Sequence, residues 1–199
     1  MIKIIDYGAG NLLSVKKAFD YLNYPAKVIT SPEGFTNGDK MVLPGVGAFG
    51  AAVDKLQTSE FWQPIQDYLS EDKPFLGICL GMQLLLEGSQ EAPGVDGLGA
   101  IKGSCYGFVQ GKVPQIGWNQ LEIVKESALF KDIDEQSFYY FIHGYFASCV
   151  DSEMIAAQTD YHLTYTSVLQ KGNIYGVQFH PEKSGEAGLK LLKNWVQSC

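Results

Sequence analysis

Short apolar runs alternate with helically spaced apolar residues in the first half of the chain, and this alternation restricts the fold more than any other feature. The runs typical of buried strands are Ile2–Ile5, Ala26–Ile29, Met41–Leu43 and Phe75–Cys79. Helical spacing is kept by Leu12, Val15, Phe19 and Leu22, and again by Phe61, Ile65 and Leu69. Asn11 is the predicted N-cap of the first helix, and a short helix is predicted over Met82–Glu87, stopped by Gly88. Strands that alternate with helices predict a parallel sheet covered on both faces.

After roughly residue 100 the pattern changes to aromatic and β-branched runs that are separated by polar turns. These runs are Leu121–Val124, Phe138–Ile142, Leu163–Leu169 and Ile174–Phe179. They favour antiparallel pairing, and a closing helix is predicted from about Ser184. We therefore predict a single α/β domain over residues 1–199, with three layers, a mostly parallel central sheet and an antiparallel extension in the second half.

The charge balance argues against two classes of partner. The chain has 15 basic and 22 acidic residues, a net charge of −7, and every basic residue is lysine. Without arginine and without a dense lysine cluster, we expect neither nucleic acid nor an anionic membrane as a partner. No apolar run approaches the roughly 18 residues of a membrane span, and the apolar stretch at the amino terminus is too short for a signal peptide.

The cysteines are far apart in the sequence. Cys79, Cys105, Cys149 and Cys199 form no C-x-x-C pair, which argues against a zinc site, a thioredoxin motif and a disulfide scaffold. We expect neither a metal nor another cofactor, and the reducing cytoplasm as the compartment.

The segment Phe75–Gln83 leads from an apolar strand into Cys79 and then directly into a helix. Glycines stand two residues before and two residues after Cys79, at Gly77 and Gly81. A strand-to-helix turn this tight forces its middle residue into strained geometry, and flanking glycines avoid the resulting clashes. The thiol would stand where the amides of the following helix favour a thiolate. Two interpretations remain open: an activated nucleophile and a buried structural cysteine.

A cysteine nucleophile needs a base, and the chain has three histidines. His162 lies in a polar stretch typical of a surface turn, and His143 follows an aromatic run as a strand-end histidine. His180 ends a buried strand and is separated from Glu182 by Pro181, so Glu182 can bond one imidazole nitrogen while the other faces the thiol. The alternative for this segment is an ordinary strand end.

Gly45, Gly47 and Gly50 match the pattern G-x-G-x-x-G, so a dinucleotide-binding module is the alternative function. No other feature of a dinucleotide site accompanies the match, and the strand that precedes it is predicted to be short. The next strand, Phe75–Cys79, lacks the acidic residue that a dinucleotide site has at its end. The competing role is an oxyanion hole, in which amides of this glycine strand face a negative charge beside Cys79.

The combination of a Gly-x-Cys-x-Gly turn with a late His-x-Glu resembles the class I, triad-type glutamine amidotransferases. More narrowly, nearly all 199 residues are similar to the glutaminase subunits of imidazole glycerol phosphate synthases. The segments that carry the resemblance are Asp6–Leu12, Leu43–Gly47, Gly77–Gln83, Val113–Asn119 and Tyr175–Ser184. It implies a flavodoxin-like fold.

The resemblance implies a role for each catalytic residue. Cys79 attacks the side-chain amide of glutamine, His180 transfers a proton to the leaving ammonia, and Glu182 orients His180; a thioester is then hydrolysed to glutamate. The oxyanion would be bound by the amides of Leu80 and Val46, the latter within the segment Gly45–Gly47. Gln83, Glu91, His143 and Tyr145 would bind glutamine or line its pocket.

The resemblance also implies a heterodimer with a cyclase subunit, which uses the ammonia to make imidazole glycerol phosphate and AICAR in histidine biosynthesis. Asn11, Trp118 and Lys183 would lie at that interface. The chain departs from the family at Gln115 and Ile116, where histidine and methionine are frequent. We expect this departure to change details of the partner face. It departs again at Gly144, where a hydroxyl is usual and one glutamine contact is lost. A glutaminase serving another synthase and a cysteine hydrolase or peptidase of the same α/β type remain alternatives.

Overall fold

The computed structural model describes residues 1–35 and 38–199. Its first half alternates strands with helices, as the sequence predicts. The strands are β1 (Ile2–Ile5), β2 (Ala26–Ile29), β3 (Lys40–Gly45) and β4 (Phe75–Cys79). The helices are α1 (Leu12–Tyr21), α2 (Phe49–Thr58), α3 (Trp62–Ser70) and α4 (Leu80–Gln83).

The second half consists mainly of strands and ends in a helix. The strands are β5 (Gly88–Ser89), β6 (Gly103–Gly107), β7 (Gln115–Gln120), β8 (Glu122–Ile123), β9 (Phe138–His143), β10 (Tyr145–Cys149), β11 (Ile155–Asp160), β12 (Thr164–Lys171) and β13 (Ile174–Val177). The closing helix is α5 (Gly185–Ser198).

The central sheet is parallel in one part and largely antiparallel in the other. Strands β2, β1, β3, β4 and β13 follow one another in that order and are all parallel. Strand β12 then pairs antiparallel with β13, β10 with β12, and β6 with β10, while β11 and β8 extend the sheet from β12. The predicted α/β class, with a mostly parallel sheet and an antiparallel extension, is confirmed. Strands β7 and β9 form a separate antiparallel ribbon.

Helices cover both faces of the parallel strands because successive strand residues point to opposite sides. In β3, Val42 packs on one face, in the cluster that holds Phe19 of α1 and Trp195 of α5. Its neighbour Leu43 packs on the other face, with the apolar residues of α2 and α3. The register aligns Gly45 with Cys79, so β3 and β4 end side by side at the carboxyl edge of the sheet.

Several predicted boundaries differ from the structure. The helix predicted over Met82–Glu87 is α4, which begins directly after Cys79 and gives way to turns before Gly88, itself the first residue of β5. Asn11 does precede α1, but its side chain makes no capping hydrogen bond. Helix α2 and strands β5, β6, β7, β10 and β11 are absent from the prediction. None of the helices in the described ranges combines the length and apolar character that a membrane span requires.

Candidate active site

Cys79 stands in the strained turn that the glycine pattern predicts. Its backbone angles are φ 55° and ψ −107°, a conformation that residues other than glycine rarely adopt. A Cβ at Gly77 would lie 2.5 Å from the carbonyl oxygen of Gly81, and a Cβ at Gly81 would overlap the carbonyl oxygen of Leu43. Both glycines are therefore needed for the turn to pack against β3 and α4.

The environment of the Cys79 sulfur is almost closed. The residue is 6% exposed, and its thiol lies 3.8 Å from the carbonyl oxygen of Ile142, at the end of β9. The side-chain amide nitrogen of Gln178, the residue that follows β13, lies 3.7 Å from the same sulfur. The sulfur thus faces both a hydrogen-bond acceptor and a donor.

His180 and Glu182 form a buried pair in the turn after β13. The Nδ1 atom of His180 lies 2.8 Å from Oε1 of Glu182, and both side chains are almost inaccessible to solvent. Burial lowers the pKa of His180, but Cys79 and Glu182 raise it more, to about 9. The Nε2 atom of His180 makes no hydrogen bond to any described residue. The ring therefore has one nitrogen held by a carboxylate and one nitrogen free for proton transfer beside the cysteine.

The backbone around His180 is also held in place. The amide of His180 donates to the carbonyl oxygen of Tyr140 on β9, at 2.9 Å. The hydroxyl of Ser184 donates to the carbonyl oxygen of His180 and accepts from the amide of Tyr140. These bonds join the His180 turn to the ribbon that also carries Ile142, so base and nucleophile share one supporting strand.

His143 lies at the site, but its ring nitrogens are occupied. Nδ1 is 2.8 Å from the carbonyl oxygen of Tyr145, and Nε2 is 3.2 Å from the hydroxyl of Tyr165. Burial lowers the pKa of His143 to about 4, and the charge of His180 also lowers it. A neutral ring with both nitrogens bonded makes a poor general base. His162 is exposed in the turn between β11 and β12, as the sequence predicts.

A cavity of about 310 Å³ opens beside Cys79. Its lining includes all of the residues predicted to contact glutamine, namely Gln83, Glu91, His143 and Tyr145. It also includes Val46, Gly47 and Leu80, predicted for the oxyanion, and Gly144, where the usual hydroxyl is missing. Gly45 lies behind this lining, where a Cβ would be 2.7 Å from the hydroxyl of Tyr7 and 2.9 Å from Cβ of Leu80.

Glu91 occupies the helix start that a nucleotide phosphate would need. Its Oε2 accepts a hydrogen bond of 2.8 Å from the amide of Phe49, the first residue of α2. Strand β3 is longer than the predicted Met41–Leu43, so the strand, turn and helix of a dinucleotide site are all present. A carboxylate on the first helical amide repels a phosphate, which counts against the dinucleotide interpretation.

No group of three or more histidine, cysteine, aspartate or glutamate side chains within residues 1–35 and 38–199 is arranged to hold a metal ion.

Comparison with known proteins gives the family. The model of the family "Glutamine amidotransferase class-I" matches residues 3–199. The chain is 45% identical to imidazole glycerol phosphate synthase subunit HisH of Chlorobium luteolum, over 99% of this chain and 100% of that protein. It is 47% identical to the HisH subunit of Pyrococcus furiosus, over 98% of this chain and 97% of that one. The chain belongs to the HisH family of class-I glutamine amidotransferases. The predicted enzyme class is confirmed.

Solved structures agree with this family on the fold. A glutamine amidotransferase crystal structure superimposes with a TM-score of 0.79 at 16% identity, covering 98% of this chain and 97% of that chain. The structure of PurLQS from Thermotoga maritima gives a TM-score of 0.77 at 17% identity, covering 99% and 97%. At these identities the likeness concerns the fold alone.

Three polar residues of this HisH-family site were not predicted from the sequence. Gln178 contacts Cys79, and Tyr165 contacts His143. Tyr7 lies against Gly45, and its buried hydroxyl has no hydrogen-bond partner among the described residues. Burial raises the pKa of Tyr7, and Cys79 raises it further. The available signal was a polar side chain inside an otherwise apolar strand run, as Gln178 is in Ile174–Phe179.

Two of the three residues predicted for the partner interface of this glutamine amidotransferase lie against one ring, that of Tyr140. Trp118 is 56% exposed and meets the ring of Tyr140 edge-on, with ring centroids 5.9 Å apart. The Nζ atom of Lys183 lies 5.8 Å from the centre of the same Tyr140 ring. Asn11 precedes α1, which packs against the turn holding Lys183.

The expectation for Gln115 was wrong. We expected its departure from the family to affect the partner face, but its side chain is buried and its carboxamide lies 2.9 Å from the hydroxyl of Tyr165. Tyr165 in turn bonds His143, so Gln115 belongs to the interior of the site. Ile116, the other departure, is exposed beside Trp118 on the ribbon.

Proposed function

We propose that the protein is the glutaminase subunit of an imidazole glycerol phosphate synthase and passes ammonia to a cyclase subunit for histidine biosynthesis. The observation that carries the proposal is Cys79 in a strained turn, with the buried His180–Glu182 pair, beside a cavity lined by the predicted glutamine contacts. The names of relatives about 45% identical over nearly their whole length support the choice of synthase. A cytoplasmic location stays a prediction.

The reaction divides between Cys79 and His180. The Cys79 thiolate adds to the carboxamide carbon of glutamine, and the carbonyl oxygen becomes negative. His180 Nε2 donates its proton to the amide nitrogen, and the carbon–nitrogen bond breaks. Ammonia departs, and a thioester on Cys79 remains. Water then gives a proton back to His180 and attacks the thioester, releasing glutamate and the thiolate. The raised pKa of His180, about 9, supports an imidazolium that is ready to donate at neutral pH.

The oxyanion needs donors that point at the developing charge. The amide of Leu80 follows Cys79 at the start of α4, and Val46 lies across the same cavity. We assign these two amides to the oxyanion, with Gly45 and Gly47 supplying the conformational freedom on either side of Val46. Gly47 already has φ +105°, which only glycine adopts readily.

The substrate contacts follow from charge. The ammonium group of glutamine needs acceptors, and Glu91 and Gln83, whose side chains carry acceptor oxygens, both line the cavity. Glu91 is oriented by Phe49, and Gln83 by a 2.8 Å bond from its amide nitrogen to the carbonyl oxygen of Tyr145. His143 supports Tyr145 from behind through its own bond to that carbonyl oxygen.

An electrophilic glutamine analogue is expected to label Cys79 and spare the other cysteines. Burial raises the pKa values of Cys105, Cys149 and Cys199, which keeps those thiols protonated at neutral pH. Peptide mapping after reaction with a diazo-ketone analogue of glutamine measures the distribution of label. Release of glutamate from glutamine should disappear in Cys79→Ala and persist in Cys149→Ala. Label found mainly on another cysteine would contradict the assignment, and hydrolysis of peptides instead of glutamine would favour a peptidase.

The outer face of the β7–β9 ribbon supports the partner interface. The ribbon exposes an apolar face made of Ile116, Trp118, Phe138 and Ile142. The carbonyl of Ile142 contacts Cys79, so a subunit that covers this face sits one strand away from where ammonia is released. Covering it would keep ammonia from escaping into water and becoming protonated.

Trp118→Ala is expected to weaken the binding of the cyclase subunit by at least about 30-fold, because a central interface tryptophan contributes roughly 2 kcal/mol or more. Titration calorimetry of the two subunits measures the loss. Tyr21→Ala is the matched control, since Tyr21 is an exposed aromatic residue on α1 and lies outside the ribbon. If cyclase affinity and glutamine-dependent synthesis both survive Trp118→Ala, the interface lies elsewhere. Copurification of a different synthase would identify another partner.

A further inference from the structure

Gln178 is a completely buried polar residue that directly follows β13. Its backbone amide donates a 2.9 Å hydrogen bond to the carbonyl oxygen of Ser167 on β12, which holds the main chain in the sheet. A buried carboxamide is costly unless its hydrogen bonds are made. The bonds of this side chain lead to two members of the candidate active site, Gln83 and Cys79.

The neighbours of Gln178 determine which way its carboxamide points. The carbonyl oxygen of Tyr145 can only accept, so the group of Gln83 that faces it at 2.8 Å must be the amide nitrogen. The same nitrogen of Gln83 lies 3.2 Å from the side chain of Gln178, which must therefore present its oxygen there. The nitrogen of Gln178 is then left facing the sulfur of Cys79, at 3.7 Å.

A backbone carbonyl thus sets the direction of a donor aimed at the nucleophile. A neutral thiol at Cys79 can donate to the carbonyl oxygen of Ile142, whereas a thiolate can only accept, and the amide of Gln178 is positioned to donate. A hydrogen bond to the charged form favours that form. His180 stands two residues further along the same segment, so a single stretch of chain supplies both groups that favour the thiolate.

We propose that Gln178 is a positioning residue of the glutaminase reaction, whose amide N–H, oriented through Gln83 by the carbonyl of Tyr145, holds Cys79 as a thiolate. The proposal rests on the proposed function, since it assigns a supporting role at the same nucleophile. It gives Gln83 a second task besides its predicted contact with glutamine, because Gln83 transmits the orientation.

The test measures the alkylation of Cys79 by iodoacetamide as a function of pH in the full-length chain. Gln178→Met removes the donor and keeps the length of the side chain. We expect the pH of half-maximal alkylation to rise by about one unit and kcat for glutamine hydrolysis to fall roughly 10–100-fold, with KM nearly unchanged. Gln178→Glu places a carboxylate next to the sulfur and should raise the alkylation midpoint further.

Ser167→Ala is the matched control, because it alters a buried neighbour of Gln178 whose hydroxyl has no partner among the described residues. It should leave the alkylation profile unchanged. Loss of activity with an unchanged midpoint in folded Gln178→Met would mean that Gln178 serves packing alone, and would overturn the proposal. If Gln178→Met does not fold, an unchanged midpoint in Gln178→Glu has the same meaning. Failure of the proposed function is separate: the unaltered chain would then release no glutamate, with or without a cyclase subunit.

Discussion

His180→Asn is expected to reduce kcat for glutamine hydrolysis by a factor on the order of 10⁶, and Glu182→Gln by a factor on the order of 10⁴. Asparagine can neither protonate the leaving ammonia nor deprotonate water, whereas glutamine at 182 still holds the imidazole by a weaker, neutral hydrogen bond. The observed Nδ1–Oε1 distance of 2.8 Å and the free Nε2 are the geometry that this difference requires. Glutamate release by each variant in the presence of the cyclase subunit measures the effect.

The same substitution is expected to change how stability depends on pH. Because Cys79 and Glu182 raise the pKa of His180 to about 9, above its unfolded value of 6.5, the charged ring contributes stability that is complete below about pH 6.5. This contribution is lost as the pH rises through 9. Chemical denaturation at pH 6, 8 and 10 should therefore show a decline in the unfolding free energy that is smaller in His180→Asn.

His162→Asn is the matched control for both measurements, because His162 is an exposed turn residue. Small and equal losses in His180→Asn and Glu182→Gln would place the base elsewhere. His143 would be the next candidate, although both of its ring nitrogens are bonded and its pKa is lowered to about 4.

The second large effect concerns activation by the partner. We expect the subunit alone to hydrolyse glutamine slowly, and the cyclase subunit with a bound nucleotide substrate analogue to accelerate it by about 10²–10³, the usual effect of one oxyanion donor. The proposed switch is the peptide between Gly45 and Val46, which flips so that the amide of Val46 points at the oxyanion. Such a switch prevents glutamine from being consumed when no acceptor for ammonia is present.

Two substitutions at Val46 isolate this amide. Val46→Pro removes the N–H and should lose most of the stimulation, whereas Val46→Ala keeps the N–H and should retain it. The side chain of Val46 is 46% exposed, so its truncation disturbs little packing. Gly45→Ala is a less specific test, because a Cβ there would press on Tyr7 and Leu80. Glutamine hydrolysis is measured for the subunit alone, with the cyclase subunit, and with the analogue added. Comparable rates in all three conditions would exclude the switch.

The features of this protein that depend only on residues close together in the sequence were predictable from the sequence. Strands β1, β2 and β4 have the predicted bounds, because a short apolar run between breakers is a local signal. The turn at Cys79 was predictable for the same reason, since the glycines that permit it lie only two residues away on either side. The pairing of His180 with Glu182 spans two residues and is equally local.

The tertiary structure alone decided which distant groups meet. The contact of Glu91 with Phe49, the burial of Gln115 against Tyr165, and the bond from Gln178 to Cys79 each join residues more than 40 positions apart. Local periodicity carries no information about such pairs, because they depend on the spatial order of the strands in the sheet. That order places β13 beside β4 and brings the His180 turn to Cys79. The sequence therefore determined which residues were equipped for the chemistry, and the sheet topology determined which of them stand together.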